Sequence, residues 1–147
     1  MAEVLMRDAL NRKGVAAQVI SRGLAAPAGR HPHPHAVATA EHFGLPIPAD
    51  KRAAPVNPVD FRSASVVLVM DQGHRRDILA RFPEAGGKTF ILTHWLDGAD
   101  LPDPLHEPES VFRAQWPIMQ QACDIWVDRL LQAGLLFKAH EAQGCEP

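Results

Sequence analysis

The stretch SVVLVMD, residues 65–71, constrains the fold more than any other part of this sequence. It is a continuous apolar run, rich in β-branched residues, that lacks the alternation of apolar and polar positions seen in half-exposed strands. Such a run is typical of a strand that is buried on both faces of a parallel sheet. Because parallel strands are joined by crossover connections, the flanking sequence should supply helices.

The flanking sequence predicts an alternation of helices and strands. Two further strands are predicted over residues 14–21 and 88–95. Apolar residues at helical spacing, with glycine or proline at the ends, predict four helices, over residues 1–13, 34–44, 74–83 and 109–136. Pro117 should kink the last of these helices or mark its true first turn.

The element order α-β-α-β-α-β-α predicts an α/β fold. We expect a three-layer, doubly wound parallel sheet, with right-handed crossovers and functional side chains at the carboxyl ends of its strands. At 147 residues the chain fits one domain. We place this domain at residues 1–136, followed by a C-terminal tail at residues 137–147.

Charge and composition limit the partners and the compartment. A formal net charge of -2 argues against a nucleic-acid partner or an acidic membrane surface. No apolar run reaches the ~18 residues of a membrane span, and the N-terminus lacks the basic-then-apolar layout of a signal peptide. The two cysteines form no disulfide or metal-binding pattern. These observations predict a cytoplasmic protein with no metal or other cofactor.

Two aspartates follow predicted strands, where α/β folds place functional groups. Asp103 lies between Pro102 and Pro104 in the loop after the last strand, so it is either a general acid or an ordinary turn aspartate. Asp71 ends the buried strand, where it either positions a ligand or a neighbouring loop, or caps the next helix. The local sequence leaves these alternatives open.

Two other patterns suggest sites but have simpler explanations. His31, His33 and His35 alternate with prolines, with no nearby carboxylate or cysteine to complete a metal site, so we interpret them as solvent-exposed loop histidines. Cys123 and Arg129 have the C-x5-R spacing of a cysteine phosphatase loop. The residues between them include two aspartates and no glycine, and they continue a helical apolar stripe, which predicts a buried, protonated thiol.

Six stretches together resemble the low-molecular-weight protein tyrosine phosphatase family, over residues 1–132. MAEVLMRDAL is similar to the helix that follows the family's phosphate loop, C-x5-R-[ST]-P, and VISRGL to the strand end S-A-G-T. HPHPHAVATAEHFGLPI resembles the second helix, and KRAAPVNPVDF the R-A-R-x-[LV]-x-x-x-D-F stretch. VVLVMDQGHRRDIL gives the most specific match, to I-L-V-M-D-x-x-N-x-x-D-L. LPDPLHEPESVFRAQW resembles V-P-D-P-[YWF]-x-x-x-x-x-x-[FY].

The resemblance implies roles for four residues. Asp103 matches the general acid that protonates the tyrosine oxygen. Asp71 matches the aspartate beside the phosphate loop, and Ser21 the serine that helps to order that loop. Leu105 takes the place of the aromatic residue that lines the phosphotyrosine cleft.

Three further positions depart from the family pattern. Lys51 replaces a histidine, Ala54 replaces an arginine, and His74 stands where the family often has asparagine. Together with Leu105, these changes predict weaker support for the phosphate loop and a weaker grip on an aromatic substrate.

The 147 residues match the family from the helix that follows the phosphate loop onward, and they contain neither the family's first strand nor that loop. In the family the first strand is central, with strand order 2-1-3-4, so the resemblance implies a sheet without its central strand. Residues 15–21 and 65–71 would then lie about 10 Å apart with unpaired facing edges. We expect the sheet to close up, to take a strand from another chain, or to fold poorly.

The resemblance implies hydrolysis of phosphotyrosine through a phosphocysteine, which needs the cysteine and arginine of the absent loop. The chain as written is therefore predicted to be inactive. In one interpretation it is a shortened form of an active phosphatase that acts on a phosphotyrosine protein or a small phosphate ester. In the other it is a genuine non-catalytic binding or regulatory pseudophosphatase, with a homodimer as one form. The arsenate reductase branch of the fold would need a resolving cysteine pair that is not present.

Overall fold

The computed structural model describes residues 1–24 and 28–138. Its α-helices are α1 (Ala2–Arg12), α2 (Pro34–His42), α3 (Pro58–Ser63), α4 (Gln72–Arg81) and α5 (Glu109–Gln132). Its strands are β1 (Val67–Val69) and β2 (Thr89–Ile91), and 3-10 helices span Pro83–Lys88 and Leu92–Trp95. The four predicted helices are confirmed to within a few residues, and α3 is an addition.

β1 and β2 form a two-stranded parallel sheet, in which Val67 lies opposite Thr89 and Val69 opposite Ile91. Both strands fall inside the predicted ranges and are shorter than predicted. β2 is followed directly by a 3-10 helix, so the second half of the strand predicted over 88–95 is wrong. Within the described part of the chain β1 pairs with β2 alone, and the sheet has fewer strands than the sequence predicts.

The strand predicted over residues 14–21 does not form. Val15 makes an isolated antiparallel bridge with Lys138, and residues 17–22 make no backbone–backbone hydrogen bond with any described residue. A strand is defined by its ladder to a neighbour, so residues that favour extended backbone do not form one alone. The segment does not pair with β1 either, so closing up, one of the three alternatives expected for the sheet, is not observed.

The main core lies between α1 and α5. Leu5 and Ala9 of α1 are fully buried, as are Trp116 and Cys123 of α5 to within 1%. The apolar stripe predicted for α5 is confirmed, because its residues lie on the buried face of the helix. The buried residues of the stripe are Phe112, Trp116, Met119, Cys123 and Trp126. No helix in the described part is long and apolar enough to cross a membrane.

α5 continues through Pro117, which lies well inside the helix rather than in its first turn. The proline ring removes one backbone donor from the helix. The carbonyl left without this donor belongs to Arg113, and both Arg113 and Pro117 are exposed, so water can take the donor's place.

Charged residues fasten the C-terminal end of α1 to α5. Arg12 contacts Asp8 at 2.7 Å and Asp124 at 2.6 Å, and Lys13 contacts Asp128 at 2.6 Å. The hydrogen bonds that Arg12 donates to Asp8 and then to Asp124 raise the pKa of Arg12 above its ordinary value. These contacts fix the ends of the two helices side by side.

A second, smaller core lies on the other side of the sheet strands, where Phe61 of α3 packs with Val69 and Ile78. α3 begins with a capping box: the Asn57 side chain accepts from the Asp60 backbone N–H at 3.1 Å, and the Asp60 side chain accepts from the Asn57 N–H at 3.0 Å. The sequence NPVD, with a proline at the first helical position, carries this start signal.

Candidate active site

Asp71 lies at the carboxyl end of β1 and caps α4. Its Oδ1 accepts a hydrogen bond from the backbone N–H of His74 at 2.7 Å, and its Oδ2 lies 3.6 Å from the His74 Nδ1. The predicted capping role of Asp71 is therefore confirmed. The aspartate side chain remains one-quarter exposed, so capping leaves part of the carboxylate open to solvent.

The loop that carries Asp103 is fastened to the same edge of the sheet. The Leu101 N–H donates to the Met70 carbonyl at 2.9 Å, directly after β1. The Gln72 N–H at the start of α4 donates to Asp100 Oδ1 at 3.0 Å. These two bonds bring the loop of Asp103 to the strand end that carries Asp71, as the α/β fold predicts.

Asp103 and Leu105 lie at the exposed tip of this loop. Asp103 Oδ1 accepts from the Leu105 N–H at 3.1 Å, which forms a local turn of the kind that aspartate favours. Asp103 is exposed, and 41% of the surface of Leu105 is accessible. An exposed carboxyl on a turn between prolines can reach a bound substrate, so the turn and general-acid interpretations are compatible.

Ser21 lies away from these residues in the contacts that the structure shows. It is exposed, and its carbonyl accepts a hydrogen bond from Arg22 at 2.9 Å. Within residues 1–24 and 28–138, no hydrogen bond or ion pair joins Ser21 to Asp71 or to the loop of Asp103. The structure therefore brings the loop of Asp103 to the strand end of Asp71 and shows no hydrogen bond or ion pair from Ser21 to either in the described part.

Cys123 is unsuited to act as a nucleophile. Its side chain is fully buried, and this burial, followed by the charge of Asp124, raises the pKa of the thiol to about 12. It lies in the middle of α5, where the backbone amides bond within the helix and cannot form an anion cradle. Arg129 lies over the ring of Trp95 at 4.4 Å. The prediction that the C-x5-R spacing is coincidental is confirmed.

Lys51 forms a partly buried ion pair, in which 25% of its own side chain is accessible. Its Nζ lies 3.0 Å from the Glu3 carboxylate, which also contacts Arg7 at 3.3 Å. Only 9% of the Glu3 side chain is accessible. The sequence analysis missed this cluster, although the spacing of Glu3 and Arg7 on one helix could have suggested half of it.

Two of the three HPHPH histidines are not solvent-exposed loop residues. His33 caps α2, because its Nδ1 accepts from the His35 N–H at 3.0 Å, and its ring stacks on Phe112. His35 lies in α2, with its Nδ1 4.0 Å from Glu109. Only His31 is exposed as predicted. Among the described residues, no group of histidines, cysteines and carboxylates is arranged to hold a metal ion.

The two clearest surface concavities in the described part lie away from the aspartates. One, of about 210 Å³, lies between α1 and residues 17–19 and is lined partly by Arg7 and Leu10. The other, of about 530 Å³, lies at the C-terminal end of α5. Neither concavity is lined by Asp71 or Asp103.

Comparison with known families agrees with this arrangement. The model of the family described as "Low molecular weight phosphotyrosine protein phosphatase" matches residues 1–134. The chain belongs to this family. The resemblance seen in the sequence is thereby confirmed at the level of the family.

Relatives in the low-molecular-weight phosphatase family match the chain over different lengths. A Klebsiella pneumoniae protein named for the low-molecular-weight protein-tyrosine-phosphatases is 35% identical over 65 residues, which is 44% of this chain and 45% of that protein. The protein named as a probable low molecular weight protein-tyrosine-phosphatase EpsP, from Ralstonia nicotianae, is 31% identical over 134 residues. That match covers 91% of this chain and 88% of EpsP.

Solved structures support the fold of the family. The YwlE arginine phosphatase from Geobacillus stearothermophilus superposes with a TM-score of 0.80 at 29% identity, over 91% of this chain and 85% of that chain. The tyrosine phosphatase Wzb from Escherichia coli K30, in complex with sulphate, also gives 0.80 at 29% identity, over 88% and 87%. The α/β fold class with a parallel sheet is therefore confirmed.

Proposed function

We propose that this chain carries the general-acid side of a low-molecular-weight phosphatase site, and that the 147 residues alone hydrolyse neither phosphotyrosine nor phosphoarginine. The observation that carries the proposal is the state of Cys123, whose thiol is buried and protonated. Cys145 lies outside the described residues. Cys123 therefore lacks the surroundings of a phosphatase nucleophile.

The family mechanism divides the work between a thiolate and an aspartate. The thiolate attacks phosphorus and forms a phosphocysteine, while the aspartate protonates the leaving oxygen and then takes a proton from the attacking water. We assign the second task to Asp103, with Leu105 beside the leaving group. Asp71 and Ser21 are assigned to support the phosphate loop. Without a thiolate, Asp103 has no bond cleavage to assist.

The substrate of the complete site is proposed to be a phosphorylated protein side chain or a small phosphate ester. Relatives are named for tyrosine and for arginine phosphatases, and Leu105 supplies no aromatic ring to stack on a phosphotyrosine. We place this activity in the cytoplasm, as composition predicts.

The first experiment measures turnover of an aryl phosphate by the purified 147-residue chain beside its Asp103→Ala variant. We expect equal background rates, because no nucleophile forms a phosphoenzyme. Faster turnover by the unsubstituted chain than by the variant would contradict the proposal.

A second experiment restores the missing chemistry. A strand followed by a C-x5-R-[ST]-P loop of the family pattern is fused directly before Met1. We expect phosphatase activity that falls by about 100- to 10,000-fold in the Asp103→Ala variant, the usual contribution of a general acid. The matched control, Cys145→Ser, should retain full activity. An active fusion that is insensitive to Asp103→Ala would show that the acid is wrongly assigned.

The second candidate function is a non-catalytic binding or regulatory protein that forms a homodimer. It is favoured by the segment of residues 17–22, which is largely exposed and makes no backbone–backbone hydrogen bond with described residues. Such an edge can pair with a strand of another copy. Light scattering coupled to gel filtration tests the homodimer: a dimer that becomes monomeric in the Gln18→Pro variant would support it, and a monomer would exclude it.

A further inference from the structure

Gln115 is a polar residue on the buried face of α5. It is 7% exposed, and its Nε2 donates to the Pro102 carbonyl at 2.7 Å. Its Oε1 is buried and has no hydrogen-bond partner among the described residues. The amide orientation is fixed by this contact, because the opposite orientation would place two acceptors together. Gln115 therefore makes one good bond and leaves one acceptor unsatisfied.

We infer that Gln115 is a positioning residue for the general acid, which holds the Asp103 loop against α5 through the carbonyl of Pro102. The inference rests on the proposed role of Asp103. Gln115 lies in the first third of α5 and would act on Asp103 through the loop.

The three attachments of the loop show why this bond matters. The Leu101 N–H donates to Met70, and Asp100 accepts from Gln72, so the N-terminal side of the loop is fixed to the sheet edge. Both attachments precede Asp103. The Gln115 bond acts on Pro102, the residue directly before Asp103, and is the side-chain attachment nearest to it in the described part of the chain.

Stability alone does not explain a glutamine at this position. A buried acceptor without a partner costs free energy that one neutral hydrogen bond does not clearly recover. Pro102 is exposed, so water can bond its carbonyl if Gln115 is replaced. A methionine of similar shape would fill the same volume without a polar atom. The Gln115 side chain therefore orients the loop and adds little to the free energy of unfolding.

The test compares Gln115→Met with Gln121→Met, an exposed position on the same helix, in the full 147-residue chain. Amide hydrogen exchange is followed at Leu105, whose N–H donates to Asp103 Oδ1, and at Phe82, whose N–H donates to Ile78. In Gln115→Met we expect the Leu105 amide to exchange about tenfold faster, as loss of one hydrogen bond permits. Phe82 and the urea midpoint should be unchanged.

Two results would overturn the inference. One is unchanged exchange at Leu105 in Gln115→Met. The other is a fall in the urea midpoint with faster exchange at Leu105 and Phe82 alike, which is the sign of a purely structural role. The Gln121→Met control should leave both amides and the midpoint unchanged.

The fused protein described above separates this inference from the proposed function. If the fusion is active, Gln115→Met should lower kcat while KM stays constant, because the acid is misplaced and binding is not. An unchanged kcat, or a change in KM alone, would overturn the inference. If the fusion is inactive, the proposed function fails, and the exchange at Leu105 still decides whether Gln115 orders the loop.

Discussion

The α1–α5 pair and the segment of residues 17–22 lie in one chain and differ in how their structure is determined. Leu5 of α1 and Trp116 of α5 are almost fully buried, and the backbone of each helix satisfies its own hydrogen bonds. Residues 17–22 favour extended backbone and make no backbone–backbone hydrogen bond within the described part. A helix needs only its own residues and one apolar face, whereas a strand also needs a neighbour.

The largest expected effect is on the helix side of this comparison. Trp126→Ala should lower the free energy of unfolding by about 3–5 kcal/mol, because a buried aromatic side chain leaves a cavity. It also leaves the Leu92 carbonyl without the Trp126 Nε1–H that donates to it at 2.7 Å. Urea unfolding followed by circular dichroism measures the loss. The exposed Trp95→Ala is the control and should cost about 1 kcal/mol.

The pH dependence of the free energy of unfolding tests whether Cys123 is buried in the core between α1 and α5. Its pKa is raised from 9.0 to about 12 in the folded state, mainly by burial. A raised acid pKa stabilises the fold fully below pH 9, and this stabilisation is lost as pH rises from 9 towards 12. Stability should fall by up to about 1.4 kcal/mol per pH unit from this thiol.

Urea unfolding between pH 8 and 11 measures this loss, with Cys123→Ala as the reference. The variant should be less stable near pH 8 because of its cavity, and the informative quantity is the shallower slope of its stability against pH. Equal slopes for the two proteins would show that the thiol is accessible to base in the folded chain.

A smaller effect is expected where charges, rather than apolar side chains, join α1 to α5. Arg12→Ala should cost about 0.5–1 kcal/mol, since Arg12 is partly exposed and contacts Asp8 and Asp124. The loss should shrink at 1 M salt, which screens exposed pairs. Arg113→Ala, which removes a pair within α5, is the matched control and should cost less. A cost above that of Trp126→Ala would mean that charges, not the core, hold the helices together.

The smallest effect is expected in the segment of residues 17–22. Ile20→Ser should change the free energy of unfolding by less than about 0.5 kcal/mol, because Ile20 is 43% exposed. The same urea experiment measures it. A loss of about 2 kcal/mol or more would break the comparison, since it would mean that another segment or another copy covers Ile20 in solution.

The helices, which satisfy their own backbone hydrogen bonds, were predicted better than the strands, which need a neighbour. α1, α2, α4 and α5 were predictable because their caps, stops and apolar spacing lie within each helix. The strand predicted over 14–21 was wrong because its partner is not specified by its own residues. β2 was predicted too long, because the sequence FILTHW does not show where the 3-10 helix begins.

The candidate site was predictable in part. Asp71 follows a recognisable strand, and its capping role is a local property. Gln115 lies beside the apolar stripe of α5 and reads as an ordinary surface residue; only the loop that folds over it buries it. The pairing of Glu3 with Lys51 joins residues that are far apart in the sequence. Such contacts depend on tertiary structure, which no local pattern encodes.

The placement of the aromatic residues has a practical consequence for optical work. The sequence has three tryptophans and no tyrosine. Trp116 and Trp126 belong to α5, and Trp95 packs on Trp126 with ring centroids 5.6 Å apart. Intrinsic fluorescence therefore reports on the α5 half of the molecule, and a melting curve recorded by emission would miss events in residues 17–22. An emission probe introduced near Ile20 would be needed to observe both halves together.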